Sequence, residues 1–188
     1  WLAQLAGAAA DFLDWQAAQG GRPVLLEQEG AADLPALGFR LTARPDRIDM
    51  LEDGRLHILD YKTGTPPSKD QQEAFEKQLL LEAAMACRGG FPTLGPMEVA
   101  RISYVGLGST PKVEATPITD EILTKVWEGL EALIAAYDCP SQGYTSRRAV
   151  FKARFAGDYD HLARFGEWDM SDPARAEDVG ADGTGEGA

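Results

Sequence analysis

Hydrophobic positions divide the chain into helical and extended segments. Apolar residues spaced three and four apart over 2–16 predict an amphipathic helix on the surface of a domain. Alternation of apolar and polar residues then predicts three strands, over 24–29, 38–51 and 55–61. Pro45 lies within the second strand and marks an edge, a bulge or an irregular entry. The chain therefore opens with a helix and an antiparallel meander.

The second half of the chain alternates between helix and strand. Helical periodicity over 68–87 and 119–137 predicts two helices, and strands are expected at 99–107 and 112–116. A crossover helix favours a parallel return strand, so the sheet is expected to be mixed. The predicted fold class is α/β, with a small mixed central sheet that contains an antiparallel meander and is flanked by helices. Each of the two helices begins at a hydroxyl residue that can cap it, Ser68 and Thr119.

The turn between the second and third strands fixes which side chains face each other. A two-residue loop at Asp53 and Gly54 would place Arg47 opposite Asp60 and mix charge into both faces. A three-residue loop over 52–54, with Gly54 in the left-handed conformation, leaves one face apolar up to its open end. We favour this second register. It pairs Met50 with Leu56, Ile48 with Ile58 and Asp46 with Asp60, and it leaves Arg47, Asp49, His57 and Leu59 on a reverse face that is expected to be more solvated.

The favoured register brings two carboxylates together at the open end of the apolar face. Asp46 and Asp60 would repel each other there unless a divalent cation such as Mg²⁺ or Mn²⁺ compensated them. The carbonyl of Tyr61 could supply a further oxygen, and Lys62 could orient the attacking water or stabilise charge on a phosphate. Alternatively, the acids are ordinary strand-end residues and Lys62 is their ion-pair partner. Spacing alone leaves both interpretations open.

The acidic composition is unevenly distributed along the chain. A formal net charge of −12 would ordinarily argue against a nucleic-acid partner, because phosphate binding rests on lysine and arginine. Residues 169–188, however, carry six acids against Arg175 and predict a disordered acidic tail. A basic, aromatic-rich stretch at 144–168 has the composition of a strand-binding groove, although packing of its rings on the core is the favoured interpretation. Net charge does not decide the partner.

Cysteine usage and hydropathy indicate the compartment. Cys87 and Cys139 are far apart and lack metal-ligand spacing, so we expect two small buried hydrophobic residues in a reducing environment. No apolar run approaches the roughly 20 residues that span a bilayer, and the start lacks the plan of a signal peptide. We expect a cytoplasmic protein without a membrane partner. Because the chain opens at Trp1 inside a helical pattern, we also expect a piece of a longer protein, with residues 1–168 as one domain.

Three short motifs resemble a known group of nucleases. Pro45-Asp46, followed after a hydrophobic strand by Asp60-Tyr61-Lys62, resembles the signature of the PD-(D/E)XK superfamily. A wider set of motifs consists of Asp46-Arg-Ile-Asp49, Ile58-Leu-Asp-Tyr-Lys-Thr-Gly64 and Gln78-Leu-Leu-Leu-Glu-Ala-Ala84. This set is similar to the RecB-like nucleases, and within them most similar to the C-terminal nuclease domains of AddB helicase-nuclease subunits.

This resemblance implies a restriction-endonuclease-like core and assigns roles to four side chains. Asp46 and Asp60 would be metal ligands, Lys62 the catalytic lysine, and Gln78 the helix residue that reaches into the site. The cofactor would be Mg²⁺ or Mn²⁺. The partners would be single- or double-stranded DNA ends and a second helicase-nuclease subunit.

Three features depart from the family pattern. Residues 1–19 offer no convincing further metal ligand, which relatives commonly carry on an upstream helix. Two cysteines cannot hold the iron–sulfur cluster of many AddB relatives, so none is predicted. Glu82 stands where relatives often have an aromatic residue, which leaves the DNA-facing part of that helix open.

The expected function is therefore a metal-dependent exonuclease domain of a helicase-nuclease that repairs double-strand breaks. One alternative is a catalytically incomplete module that keeps the fold to guide DNA or contact a subunit. Another is a free-standing RecB-like exonuclease. Retention of both acids and of Lys62 favours the enzyme over the incomplete module.

Overall fold

A computed structural model of the protein describes residues 2–108, 112–144, 161–164, 166–168 and 171–172, with side chains of the first helix described from Ala9. The chain divides into two compact units, Trp1–Ala132 and Leu133–Ala188. The elements are α1 (Leu2–Ala18), β1 (Gly21–Leu26), β2 (Gly30–Leu34), a 3₁₀ turn (Pro35–Leu37), β3 (Phe39–Ala43), β4 (Arg47–Leu51), β5 (Leu56–Lys62), α2 (Lys69–Ala74), α3 (Gln78–Cys87), β6 (Val99–Gly106), β7 (Lys112–Pro117) and α4 (Asp120–Tyr137).

The main sheet of the first unit is mixed. Within the described residues it has five strands in the order β1-β4-β5-β6-β7, and β5 and β6 are parallel whereas the other neighbours are antiparallel. The parallel pair follows from the connection through α2 and α3, since parallel neighbours need a long crossover. The predicted α/β class with a small mixed sheet is confirmed.

The hairpin of β4 and β5 has the favoured register. Met50 pairs with Leu56, Ile48 with Ile58, and the loop between the strands has three residues, closed by the Leu51 N–H donating to the Arg55 carbonyl. Gly54 has φ of +83°, the left-handed conformation that this loop requires and that glycine adopts without steric cost. Turn chemistry and period-two alternation together were enough to fix the register.

The predicted strand at 38–51 is in fact two strands in different sheets. It breaks at Pro45, which cannot donate to a ladder, so β4 begins only at Arg47. The first piece, β3, pairs with β2 in a separate two-stranded sheet. The sequence did not predict β2, because Ala31, Ala32 and Asp33 are not the β-branched or aromatic residues that are typical of strands. The predicted strand at 24–29 also lies three residues earlier, as β1.

The predicted helix at 68–87 is broken into α2 and α3. The predicted Ser68 cap is confirmed, and it forms a capping box with Gln71. At the break, the N–H of Lys77 donates to the Phe75 carbonyl, a bond too tight to continue an α-helix. As a result Gln78 becomes the first residue of α3. The Thr119 cap of the last helix is also confirmed, because its hydroxyl accepts from the Ile122 N–H.

Both faces of the central strands are buried. The α3 face carries the even-numbered residues of β5, and α3 packs against β5 and β6. We call the opposite face the α1 face, because Phe12 of α1 lies against Tyr61 there. It carries the odd-numbered residues of β5, Arg47 and Asp49 of β4, and Arg101 and Ser103 of β6. The expectation of a solvated reverse face is wrong: Asp49 is 2%, His57 0% and Leu59 1% exposed.

In the second unit, the rings of Tyr137 and Tyr144 stack with centroids 4.9 Å apart. The stretch at 144–168 and the acidic tail at 169–188 lie largely outside the described residues. Neither cysteine is buried as expected, because Cys87 is partly exposed and Cys139 is exposed. Across the described helices, none combines the length and apolar character that crossing a membrane requires.

Candidate active site

Asp60 lies at the centre of a cluster on the α3 face. It is 5% exposed, and its Oδ2 forms an ion pair with Lys62 Nζ at 2.9 Å. Its Oδ1 accepts a hydrogen bond of 3.0 Å from the side-chain amide of Gln78, the first residue of α3. The two-residue period of β5 places Asp60 and Lys62 on the same face, and the break before α3 brings Gln78 to them.

Asp46 joins this cluster at the edge of the hairpin. It precedes β4 and so does not pair with Asp60 in the ladder; instead its Oδ2 accepts from the backbone N–H of Tyr61 at 2.8 Å. The N–H and carbonyl of one strand residue point to the same side, so the Tyr61 carbonyl also points toward Asp46. The structure thus joins Lys62 and Gln78 to Asp60, and Asp46 to the backbone N–H of the neighbouring Tyr61. The catalytic and metal-binding roles of these residues, and of the Tyr61 carbonyl, remain predictions.

Glu82 is the site residue that sequence reasoning missed. It is 2% exposed on α3, and its Oε1 accepts from the same Gln78 amide nitrogen at 3.3 Å. Its other oxygen, Oε2, is buried and has no hydrogen-bond partner within the part of the chain that the structure describes. The signal was available, because a residue four positions after Gln78 lies on the same side of a helix.

The pKa of Glu82 is shifted by its burial and by the charged groups of the cluster. Burial raises the pKa of Glu82 from 4.5 to about 7, and the Gln78 hydrogen bond opposes that rise. The negative charges of Asp60 and Asp46 raise this pKa further, whereas Lys62 lowers it. Asp46, Asp60 and Lys62 are therefore all close enough to act on the Glu82 carboxyl.

Tyr104 of β6 contacts both Lys62 and the first turn of α3. Lys62 Nζ lies 5.5 Å from the centroid of its ring, a cation–π contact, and its hydroxyl accepts from the Leu79 N–H at 3.4 Å. Burial raises the pKa of Tyr104 above its usual range, so it stays neutral. The ring therefore directs Lys62 and links β6 to the first turn of α3.

A second polar network lies beneath the site, on the α1 face. Arg47 holds Asp49 through two hydrogen bonds of 2.6 and 2.8 Å, and it also donates to the Tyr61 hydroxyl at 3.4 Å. The hydrogen bond to Asp49 raises the pKa of Arg47 despite its partial burial. His57 Nε2 lies 2.8 Å from Ser103 Oγ, and burial lowers the pKa of His57 to about 3. This network anchors the strand that carries Asp60.

The oxygen-rich donor set fits a hard divalent cation. Asp46 Oδ1, Asp60 and the Tyr61 carbonyl offer the ligands that Mg²⁺ or Mn²⁺ prefers, and Glu82 Oε2 is a buried carboxylate oxygen that accepts no hydrogen bond from the described residues. As the described side chains are arranged, no three His, Cys, Asp or Glu residues stand close enough to enclose an ion. A cation here would therefore retain several water ligands, as Mg²⁺ commonly does.

A mixed sheet that presents two acids and a lysine at the end of a central hairpin is the restriction-endonuclease-like arrangement of nucleases. A family model of the PD-(D/E)XK nuclease superfamily matches residues 1–168. The chain belongs to this superfamily, and the predicted restriction-endonuclease-like core is confirmed.

Curated relatives come from Rickettsia and are named only as uncharacterized proteins. One from Rickettsia bellii is 29% identical over 158 residues, which are 73% of this chain and 19% of the relative. Another from Rickettsia conorii is 26% identical and covers 87% of this chain and 23% of the relative. The chain thus spans about a fifth of the length of these relatives.

Proposed function

We propose that this chain is a metal-dependent deoxyribonuclease domain that hydrolyses phosphodiester bonds from DNA ends. The observation that carries the proposal is that Asp60 forms an ion pair with Lys62 at 2.9 Å and accepts a hydrogen bond from Gln78 at 3.0 Å. Asp46 accepts a hydrogen bond from the backbone N–H of Tyr61, the residue after Asp60. Superfamily membership supports nuclease chemistry, and the all-oxygen donor set supports Mg²⁺ or Mn²⁺ as the cofactor.

In this proposal Asp46, Asp60 and the Tyr61 carbonyl would hold the cation. When bound, such an ion polarises the phosphate and lowers the pKa of a bound water, so no covalent intermediate is needed. The Lys62 side chain is one-third exposed while that of Asp60 is buried, so a substrate could reach Lys62 from solvent. Lys62 then donates to a phosphate oxygen or orients the attacking water. Gln78 keeps Asp60 from rotating.

The biological setting that we propose is a helicase-nuclease of the AddB type, acting on double-strand breaks with a partner subunit. Its support is the motif set of the hairpin and α3, together with matches that cover about a fifth of much longer relatives. DNA would be gripped through its backbone phosphates, so cleavage would show little sequence preference. A free-standing exonuclease would share this site but would need no helicase partner.

A cleavage assay with the full-length protein tests the proposal. Labelled single- and double-stranded DNA would be incubated with Mg²⁺ and with wild type, Lys62→Ala or Asp60→Ala. Loss of Lys62 should lower kcat roughly 10²–10³-fold, the usual cost of removing one charge-stabilising donor. Lys112→Ala is the matched control, because Lys112 also forms an ion pair with an acid two residues away, Glu114, on a strand. Equal cleavage by wild type and Lys62→Ala would overturn the proposal.

One observation favours a second candidate, an inactive nuclease-fold module. The described side chains do not enclose an ion with three His, Cys, Asp or Glu residues. Isothermal titration with Mn²⁺ separates the two candidates, since the enzyme should bind the ion in wild type and lose that binding in Asp60→Ala. A module that only guides DNA or contacts a subunit should give the same flat titration for both proteins.

A further inference from the structure

Glu82 carries a buried oxygen that the protein leaves without a donor. The residue is 2% exposed, and Oε2 finds no hydrogen bond among the described residues although Oε1 accepts from Gln78. Leaving a buried acceptor unsatisfied costs about 1–3 kcal/mol, and more for a charged group. A donor from outside the protein chain would remove that cost.

The position of Glu82 indicates what that donor is. A single nitrogen, Gln78 Nε2, bonds both Asp60 Oδ1 and Glu82 Oε1, so the two carboxylates lie on either side of one amide. Asp46 and Asp60 both act electrostatically on Glu82, and Lys62 acts on it in the opposite direction. The two aspartates alone outnumber the Lys62 amine, and the resulting excess of negative charge attracts a further cation.

The spacing argues against direct coordination by Glu82. No three described side chains of the ligating types are close enough to surround one ion, so an ion held by Asp46 and Asp60 would not also be bound directly by Glu82. A hydrated Mg²⁺ keeps several waters, and each is a strong hydrogen-bond donor. A water ligand of the ion can therefore donate a hydrogen bond to Glu82 where the carboxylate does not reach the ion itself.

We propose that Glu82 is a positioning residue of the metal site: its Oε2 accepts a hydrogen bond from a water ligand of the divalent ion held by Asp46 and Asp60. The inference rests on the proposed function. In this inference α3 supplies the carboxylate, Glu82, that binds a water ligand of the ion. Gln78, between Asp60 and Glu82, keeps the direct ligand and the water-binding carboxylate in fixed relation.

Mn²⁺ binding to the full-length protein, measured by isothermal titration, tests the inference. Glu82→Gln keeps the size of the side chain and an acceptor for Gln78, and it should raise the Kd for Mn²⁺ by about 10–100-fold, as loss of an outer-sphere partner typically does. Glu128→Gln, an exposed glutamate on α4, should bind Mn²⁺ as wild type does. The melting temperature of the metal-free Glu82→Gln protein should not fall, which excludes unfolding as the cause.

The outcomes separate this inference from the proposed function. If Glu82→Gln binds Mn²⁺ as tightly as wild type while Asp60→Ala does not bind, the role of Glu82 is overturned and the nuclease proposal stands. If Glu82→Gln loses all binding, as Asp60→Ala is expected to, Glu82 is a direct ligand and the water-mediated role is overturned. If wild type neither binds Mn²⁺ nor cleaves DNA, both proposals fail.

Discussion

Lys62 Nζ lies 2.9 Å from Asp60 Oδ2, and the two side chains differ sharply in exposure, at 33% for Lys62 and 7% for Asp60. A buried carboxylate is thus compensated by a lysine whose side chain is partly exposed to solvent. In the proposed mechanism, this asymmetry would let Lys62 approach a substrate while it remains paired with Asp60.

Removal of that amine should destabilise the metal-free protein. Lys62→Ala leaves a buried carboxylate with only the Gln78 hydrogen bond, so the free energy of unfolding should fall by about 1–3 kcal/mol. Urea denaturation in the presence of a chelator measures the change. Lys112→Ala should leave the midpoint unchanged, because its pair with Glu114 is more exposed. An equal loss for both variants would show that the burial of Asp60 has no energetic consequence.

The Gln78 amide should matter because it separates two carboxylates. Gln78→Glu replaces their shared donor with a third acid, so like-charge repulsion should reduce the melting temperature of the metal-free protein. Thermal unfolding at pH 8 with a chelator measures this effect, and added Mn²⁺ should recover part of the loss. Gln142→Glu, an exposed substitution of the same type, is the control. A melting temperature at or above that of wild type would contradict the bridging role.

The Arg47–Asp49 pair beneath the site should be a major contributor to stability. Asp49→Asn weakens a pair whose side chains are only 11% and 3% exposed, and it leaves a partly buried guanidinium uncompensated, at a cost of about 3–5 kcal/mol. Asp53→Asn is a matched control, since Asp53 and Arg55 form the same kind of pair, two residues apart, with both side chains 48% exposed. Chemical denaturation should show a large loss for Asp49→Asn and no measurable one for Asp53→Asn.

His57 should make the protein sensitive to acid. Burial lowers its pKa from 6.5 to about 3, so between these values the unfolded chain takes up a proton that the folded protein does not. The stability that neutral His57 provides is therefore complete above pH 6.5 and is lost as the pH falls toward 3, on the order of 5 kcal/mol in full. His57→Gln should flatten the decline in stability between pH 7 and pH 4, whereas exposed His161→Gln should not. Parallel curves for wild type and His57→Gln would contradict the assignment.

Much of the hairpin was predictable because its determinants are local. Gly54 fixed the loop and the alternation around Ile48 and Ile58 fixed the register. The division of the strand at Pro45 was only partly foreseen, because the residues on both sides of it have strand character. Whether they join one sheet or two depends on β2, which directly precedes β3 but has weak strand propensity and was therefore not predicted.

Sequence by itself determined the fold class, the register of β4 and β5, and the positions of Asp46, Asp60 and Lys62 along them, since these follow from spacing within about twenty residues. Tertiary structure decided which surfaces are covered. It buried the α1 face, which alternation alone made look solvated. It also started α3 at Gln78, so that Gln78 bonds both Asp60 and Glu82, and Glu82 keeps one oxygen without a partner among the described residues. Periodicity records which residues share a face, whereas burial depends on what distant segments bring against that face.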